Sequence, residues 1–255
     1  MEALMQVLES TMATRDPYTV GHQRRVSQIA CTIGREMDLA ADRLYNLRMA
    51  GTLHDLGKFA IPSDLLSKPG KLTPQEFALI KTHPQVAYNI LEPITLPGNT
   101  VQIILQHHER LNGSGYPQGL KGEGILLEAR ILGVADVMEA MCSHRPYRAS
   151  LGLSASLDEL TRNKGILYDA AVVETCLKLY GQNLPGPPQD IIPSPPVTPG
   201  DGSPPHEAFV RGRTLPQTAA VKSRHWTLPQ RHRVWMHAGS ASLLGWLIMV
   251  SLKSF

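Results

Sequence analysis

Cysteine is scarce: Cys31, Cys142 and Cys176 are the three in 255 residues, far apart and without a CxxC spacing. That excludes a disulfide framework and a thiolate zinc site, and it fits a reducing, cytoplasmic compartment. Aromatic residues make up 5% of the chain against 42% hydrophobic residues overall, a balance that suits aliphatic helix packing better than a β-sandwich. No run of alternating β-branched residues is long enough to set up a sheet. Met1 leads straight into a mixed polar and apolar stretch, so no secretory signal is expected. The apolar segment at residues 238–252 covers about 15 positions, short of the roughly 20 that span a bilayer. A poorly ordered end is expected there rather than a membrane anchor.

The formal charge of +3 belongs to the tail. From His206 onward seven Lys or Arg face Glu207 alone, which leaves 18 basic and 19 acidic residues in 1–182, a net near −1. The folded part therefore has no electrostatic case for binding nucleic acid. Composition also changes after Gly181, and ten of the 20 prolines fall between Pro185 and Pro216. At that density proline blocks helices and removes backbone donors. The chain divides into a folded domain at 1–182, a disordered Pro/Gly-rich linker at 183–217, and an unassigned basic-then-apolar tail at 218–255.

Residues 1–182 read as a succession of helices. Apolar stripes at helical spacing run through Leu4, Val7 and Leu8, then Val26, Ile29, Ala30 and Ile33, then Leu44, Leu47, Ala50 and Leu53. Val101, Ile104 and Leu105 continue the pattern, as do Ile131, Val134, Val137 and Met141. Thr73-Pro74-Gln75-Glu76 is a capping box with Pro at the first helical position, so a helix starts there. Asp169 is placed to cap a last helix through Val172, Val173, Cys176 and Leu179, with Gly181 to end it. The expected fold class is all-α.

Histidine is unevenly distributed. Four of the ten lie in the tail, and five of the remaining six fall in segments rich in Asp, Lys or Gly. These are Gly21-His22, His54-Asp55-Leu56-Gly57-Lys58, Thr82-His83-Pro84 and His107-His108-Glu109, with Asp136 as a further acid. Burying several imidazoles and carboxylates without compensation costs about a few kcal/mol each. A divalent transition metal offsets that cost, since neutral imidazole and carboxylate are its natural ligands. Adjacent helical residues diverge by about 100°, so His54 and Asp55 on one helix would reach a two-metal centre only if the carboxylate bridges both ions. Pro84 disfavours α geometry at His83 and is expected to kink that helix, turning the ring inward.

His54-Asp55 with Gly57-Lys58 resembles the signature of HD-domain phosphohydrolases. The run His107-His108-Glu109-Arg110-Leu111-Asn112-Gly113-Ser114-Gly115-Tyr116-Pro117 resembles the motif that names the HD-GYP family. Arg15-Asp16-Pro17-Tyr18-Thr19, Lys68-Pro69-Gly70-Lys71-Leu72-Thr73, Lys81-Thr82-His83-Pro84 and Arg145-Pro146-Tyr147-Arg148 match flanking motifs, so the resemblance spans residues 1–182. It implies an HD-type helical bundle and a phosphodiesterase of bacterial cyclic di-GMP signalling, which yields linear pGpG or GMP through a hydroxide activated by two metals. It also implies two divalent transition metal ions, with iron or manganese favoured and nickel, cobalt or zinc compatible.

In that pattern His22, His54 and Asp136 hold one metal, His83, His107 and His108 the other, and Asp55 bridges them. Asp55 and Lys58 would be catalytic, and Lys58, Tyr116, Arg145 and Arg148 would bind substrate. Some members add a third metal through a glutamate four residues before the first histidine; Tyr18 stands there, so two metals are expected. Asn112, Glu139 and His144 replace aspartates common in relatives, outside the expected ligand set, and bear on substrate preference. The resemblance further implies contact of the 112–117 loop with a diguanylate cyclase domain, and the start of the chain hints at a homodimer. Two other readings stay open: an HD phosphohydrolase acting on cyclic GMP-AMP or a nucleotide, and a non-catalytic binding or signalling module.

Overall fold

The structure is a computed structural model that describes residues 7–8, 10–12, 17–68, 70–144 and 149–181. The segments expected at 183–217 and 218–255, Arg145, Arg148 and the side chain of Tyr18 lie outside the described residues. Among the described residues, the helices with both ends defined follow in the order α1 (Pro17–Glu36), α2 (Ala41–Leu53), α3 (Ser63–Leu66), α4 (Pro74–Ile80), α5 (His83–Leu91), α6 (Thr100–Gln106), α7 (Leu127–Cys142), α8 (Gly152–Arg162) and α9 (Ala170–Tyr180). Short 3-10 turns occupy Leu56–Ala60 and Gly122–Gly124. Among the described residues there is no strand, only two isolated bridges, Asn112 with Lys121 and Lys164 with Tyr168. The all-α expectation holds.

The organising element is α7. It is apolar nearly all round, as a helix enclosed by others must be, and it packs against α1, α2, α6, α8 and α9. Val26, Ile29, Ala30 and Ile33 of α1, with Leu47, Ala50 and Leu53 of α2, are fully buried in the same core. Truncating one of the buried leucines or isoleucines to alanine costs about 2–5 kcal/mol. This packing sets α1 beside α7 and so fixes the separation between His22 and Asp136.

Caps mark the helix starts that the sequence signals. Thr73 Oγ1 accepts from Glu76 N at 3.2 Å while Glu76 Oε2 accepts from Thr73 N at 2.7 Å. Asp169 Oδ1 accepts from Ala171 N and Val172 N at the start of α9. Each such cap contributes about 1 kcal/mol.

The expectation at Pro84 is corrected. No kink forms there, because His83 and Pro84 open α5 instead of interrupting a longer helix. Proline at the first helical turn lacks only an N–H that would have no partner, and α4 has already ended at Ile80. The 3-10 turn after Asp55 presses against this new start. A Cβ built on Gly57 would lie 1.9 Å from the His83 carbonyl oxygen, so only glycine permits the approach.

Candidate metal centre

His22, His54, Asp55, His83, His107, His108 and Asp136 are all buried and all converge. Three overlapping groups have ligand atoms within 4.8 Å of one another: His22, His54 and Asp136; His83, His107 and His108; and His54, Asp55 and His107. The first two are the ligand sets the resemblance implies, and the third contains Asp55, the expected bridge.

His54 and Asp55 do not sit on one helix, as the sequence reading assumed. α2 ends at Leu53, His54 is its C-cap, and Asp55 (φ −94°, ψ 2°) leads into the 3-10 turn. Leaving the helical path brings His54 Nε2 to 3.4 Å from Asp55 Oδ2, which is also 3.7 Å from His22 Nε2. On the other side Asp55 Oδ1 lies 3.6 Å from His83 Nε2. One carboxylate thus faces both histidine sets.

Helix termini also fix the tautomers. The last carbonyls of a helix lack intrahelical donors, and three imidazoles satisfy them. His54 Nδ1 contacts Gly51 O at 2.8 Å, His83 Nδ1 contacts Ile80 O at 2.8 Å, and His107 Nδ1 contacts Ile104 O at 2.6 Å. A carbonyl only accepts, so each Nδ1 carries the proton and each Nε2 presents a lone pair. The consequence is sharpest between His83 and His107, whose Nε2 atoms stand 3.4 Å apart. Two lone pairs at that distance repel unless a cation lies between them. His54 Nε2, His108 Nε2 and Asp55 Oδ2 are likewise buried without a hydrogen-bond partner among the described residues. Unmet acceptors of this kind are expensive unless something binds them. The residues fit divalent cations.

Burial holds the rings neutral. Desolvation lowers the pKa of His54 and brings that of His83 to about 3, with the Lys58 charge adding to the effect on His83. Desolvation and the neighbouring imidazoles take His107 and His108 well below the usual histidine range. For Asp55 burial opposes ionisation, but the positive charge around it, with the Lys58 ammonium in contact, outweighs burial and holds the carboxyl well below 3.8. Asp136 is lowered in the same way, chiefly by His22 against the cost of burial. Neutral imidazoles beside ionised carboxylates are the protonation states that bind metal.

Lys58 is buried, not a solvated helix-end lysine, and its Nζ lies 2.7 Å from Asp55 Oδ1. Tyr116 is also buried, its ring stacked on His108 at 4.8 Å between centroids. Gly113 has φ +81° and needs its glycine for conformation. Gly115 has no positive φ. It is needed for space, since a Cβ there would lie 2.5 Å from His108 O.

Sequence reasoning missed Arg25, and it named Glu139 and Glu109 without the contacts they make at the site. Glu139 Oε2 accepts from His22 Nδ1, and Arg25 Nε donates to Glu139 Oε1 at 2.6 Å. Both follow a proposed ligand by three residues on the same helix, a spacing that places side chains on one face. Glu109 is buried, and its carboxylate accepts from the backbone N–H groups of Gln118, Gly119 and Leu120 at 2.7, 3.1 and 3.0 Å. It pins the loop that carries Tyr116. No side-chain spacing signals a partner that is backbone.

Fold and site together define a helical domain that encloses a cage of imidazoles and carboxylates, with adjoining groups able to hold metal ions. The HD domain family matches residues 6–172. The chain belongs to that family, and its His107–Pro117 run places it in the HD-GYP branch. A protein of Xanthomonas campestris, named cyclic di-GMP phosphodiesterase response regulator RpfG, is 41% identical over 168 residues, 64% of this chain and 44% of that protein. A 3'3'-cGAMP-specific phosphodiesterase 3 of Vibrio cholerae is 34% identical over 164 residues, 64% of this chain and 35% of that protein. The chain thus spans less than half the length of these relatives. A solved HDG"Y"P protein from Bdellovibrio bacteriovorus shares the fold with a TM-score of 0.51 at 20% identity, over 60% of this chain and 49% of that one. Among the described residues no helix is long and apolar enough to cross a membrane.

Proposed function

We propose that this chain is a metal-dependent phosphodiesterase that hydrolyses cyclic di-GMP to linear pGpG or GMP. The observation that carries the reading is the pair of facing lone pairs on His83 and His107 beside the unmet acceptors of His54, His108 and Asp55. His22, His54 and Asp136 would hold one divalent ion, His83, His107 and His108 the second, and Asp55 would touch both. Bound there, a pair of divalent ions supplies a water of lowered pKa and neutralises charge on the phosphoryl oxygens. Iron and manganese suit a histidine-rich shell with oxygen donors, and nickel, cobalt and zinc remain compatible.

The chain's own residues do the rest. Asp55 orients the shared side of the cage, and burial keeps the imidazoles in their donor form. Lys58 supplies a fixed positive charge next to Asp55, where it counters a phosphate oxygen of the substrate. Tyr116 acts by backing His108, on which its ring stacks. Arg145 and Arg148 remain candidates for the second phosphate or a guanine edge, because guanidinium suits bidentate recognition. Contact of the 112–117 loop with a diguanylate cyclase domain would fall to its exposed Asn112, Ser114 and Pro117. Pairing of two copies stays an expectation of the same reading.

A second substrate, cyclic GMP-AMP, is favoured by the name of the Vibrio cholerae relative. Incubating the metal-loaded protein with cyclic di-GMP, cyclic GMP-AMP and mononucleotides, with products separated by chromatography, distinguishes the readings. Cyclic di-GMP turned over fastest supports the proposal. Hydrolysis of mononucleotides alone contradicts it.

A further inference from the structure

We infer that Glu139, held by Arg25, is a positioning residue that makes the two halves of the metal cage unequal, strengthening the half formed by His22, His54 and Asp136. The inference rests on the two-metal reading above. Its starting point is a difference among the imidazoles. His54, His83 and His107 each give Nδ1–H to a neutral backbone carbonyl three residues earlier. His22 lies in mid-helix, where those carbonyls are already engaged, and gives its Nδ1–H to a carboxylate.

Two short patterns meet across the packed helices. On α1, Arg25 follows His22 by three residues; on α7, Glu139 follows Asp136 by three. His22 Nε2 lies 3.3 Å from Asp136 Oδ1 while His22 Nδ1 meets Glu139, so the ring is held between two acids of one helix. Glu139 is 1% exposed, and a lone carboxylate so buried would be costly. Arg25 supplies the counter-charge at 2.6 Å, and Ser143 Oγ donates to the same oxygen. The relay therefore runs Arg25, Glu139, His22 and then the ligand atom. A carboxylate behind a ligating imidazole fixes its tautomer and ring angle and makes the other nitrogen a stronger donor. Behind His54, His83 and His107 the Nδ1 partner is a neutral carbonyl in place of a carboxylate. This gives Glu139 a role in metal binding in place of the substrate preference expected of it.

The test is a titration of the metal-free full chain with cobalt(II), followed by visible absorption, which reports each ion's coordination. The parent should fill two sites. Glu139→Gln keeps an oxygen acceptor for His22 but removes the charge, and it should weaken one of the two steps by about 10- to 100-fold, leaving the other within about twofold. Arg25→Gln, on the partly exposed end of the relay, should weaken the same step by less, and it remains informative if Glu139→Gln folds poorly. Glu139→Asp keeps the charge with one methylene less reach and should recover part of the loss. Equal weakening of both steps, or no change in either, would overturn the inference while leaving the two-metal reading intact. A parent that binds no cobalt would overturn that reading itself.

Discussion

His22 and Asp136 project from the middles of α1 and α7, whereas His83, His107 and His108 sit where helices begin or end. The first pair inherits its spacing from core packing, since both helices bury continuous apolar faces against each other. The second group depends on local backbone: helix-terminal carbonyls that hold the rings, glycines that allow close approach, and a loop that presses Tyr116 onto His108. Asp55 and His54 join them at the end of α2. His22 and Asp136 are placed by the domain core. The terminal histidines are only as well placed as the turns around them, so perturbations should divide along that line.

The largest effect is expected where the halves meet. Asp55→Ala removes the carboxylate common to both, and turnover should fall by about 10³-fold or more. Helix content by circular dichroism should stay intact; activity within about tenfold of the parent would break the assigned role. Glu109→Ala acts on the loop-dependent half alone. It leaves three backbone N–H groups without their acceptor, and loosening of the loop should lower turnover by about 10- to 100-fold. A metal titration should place the loss at one site, and equal loss at both would blur the comparison.

Smaller effects concern stability. Gly57→Ala puts a methyl group against the His83 carbonyl and should destabilise the domain by about 1–3 kcal/mol in chemical denaturation. An unchanged midpoint would show that the turn and α5 can separate freely. Acid should also unfold the metal-free protein. His83 titrates near pH 3 in the fold but near 6.5 when exposed, so the unfolded chain takes up a proton that the folded one refuses. Stability is therefore complete above about pH 6.5 and falls as pH drops toward 3, by about 1.4 kcal/mol per unit for each such ring. His54, His107 and His108 shift in the same direction. A denaturation midpoint in chelator that is flat from pH 7 to 5 would contradict this.

Much of the site was legible because its residues announce themselves by type. Paired histidine and aspartate in aliphatic surroundings have few structural uses, and the ordered motifs brought His22, His54, Asp55, His83, His107, His108 and Asp136 forward together. Helix starts at Thr73 and Asp169 were legible too, since a cap is a local matter. What stayed hidden depends on distant partners or on backbone. Glu139 meets a ring 117 positions away, and Glu109 binds N–H groups that every residue carries. The HD pair and His83-Pro84 misled for a related reason: hydrophobic periodicity marks a helix more clearly than it marks its last residue, and here the chemistry sits on those boundaries.

The most direct measurement is the metal content of the full chain purified without oxygen and compared with His108→Ala. About two divalent ions per chain, falling to about one in the variant, is the predicted result for two adjoining sites. Fewer than about one ion in the parent would contradict the account.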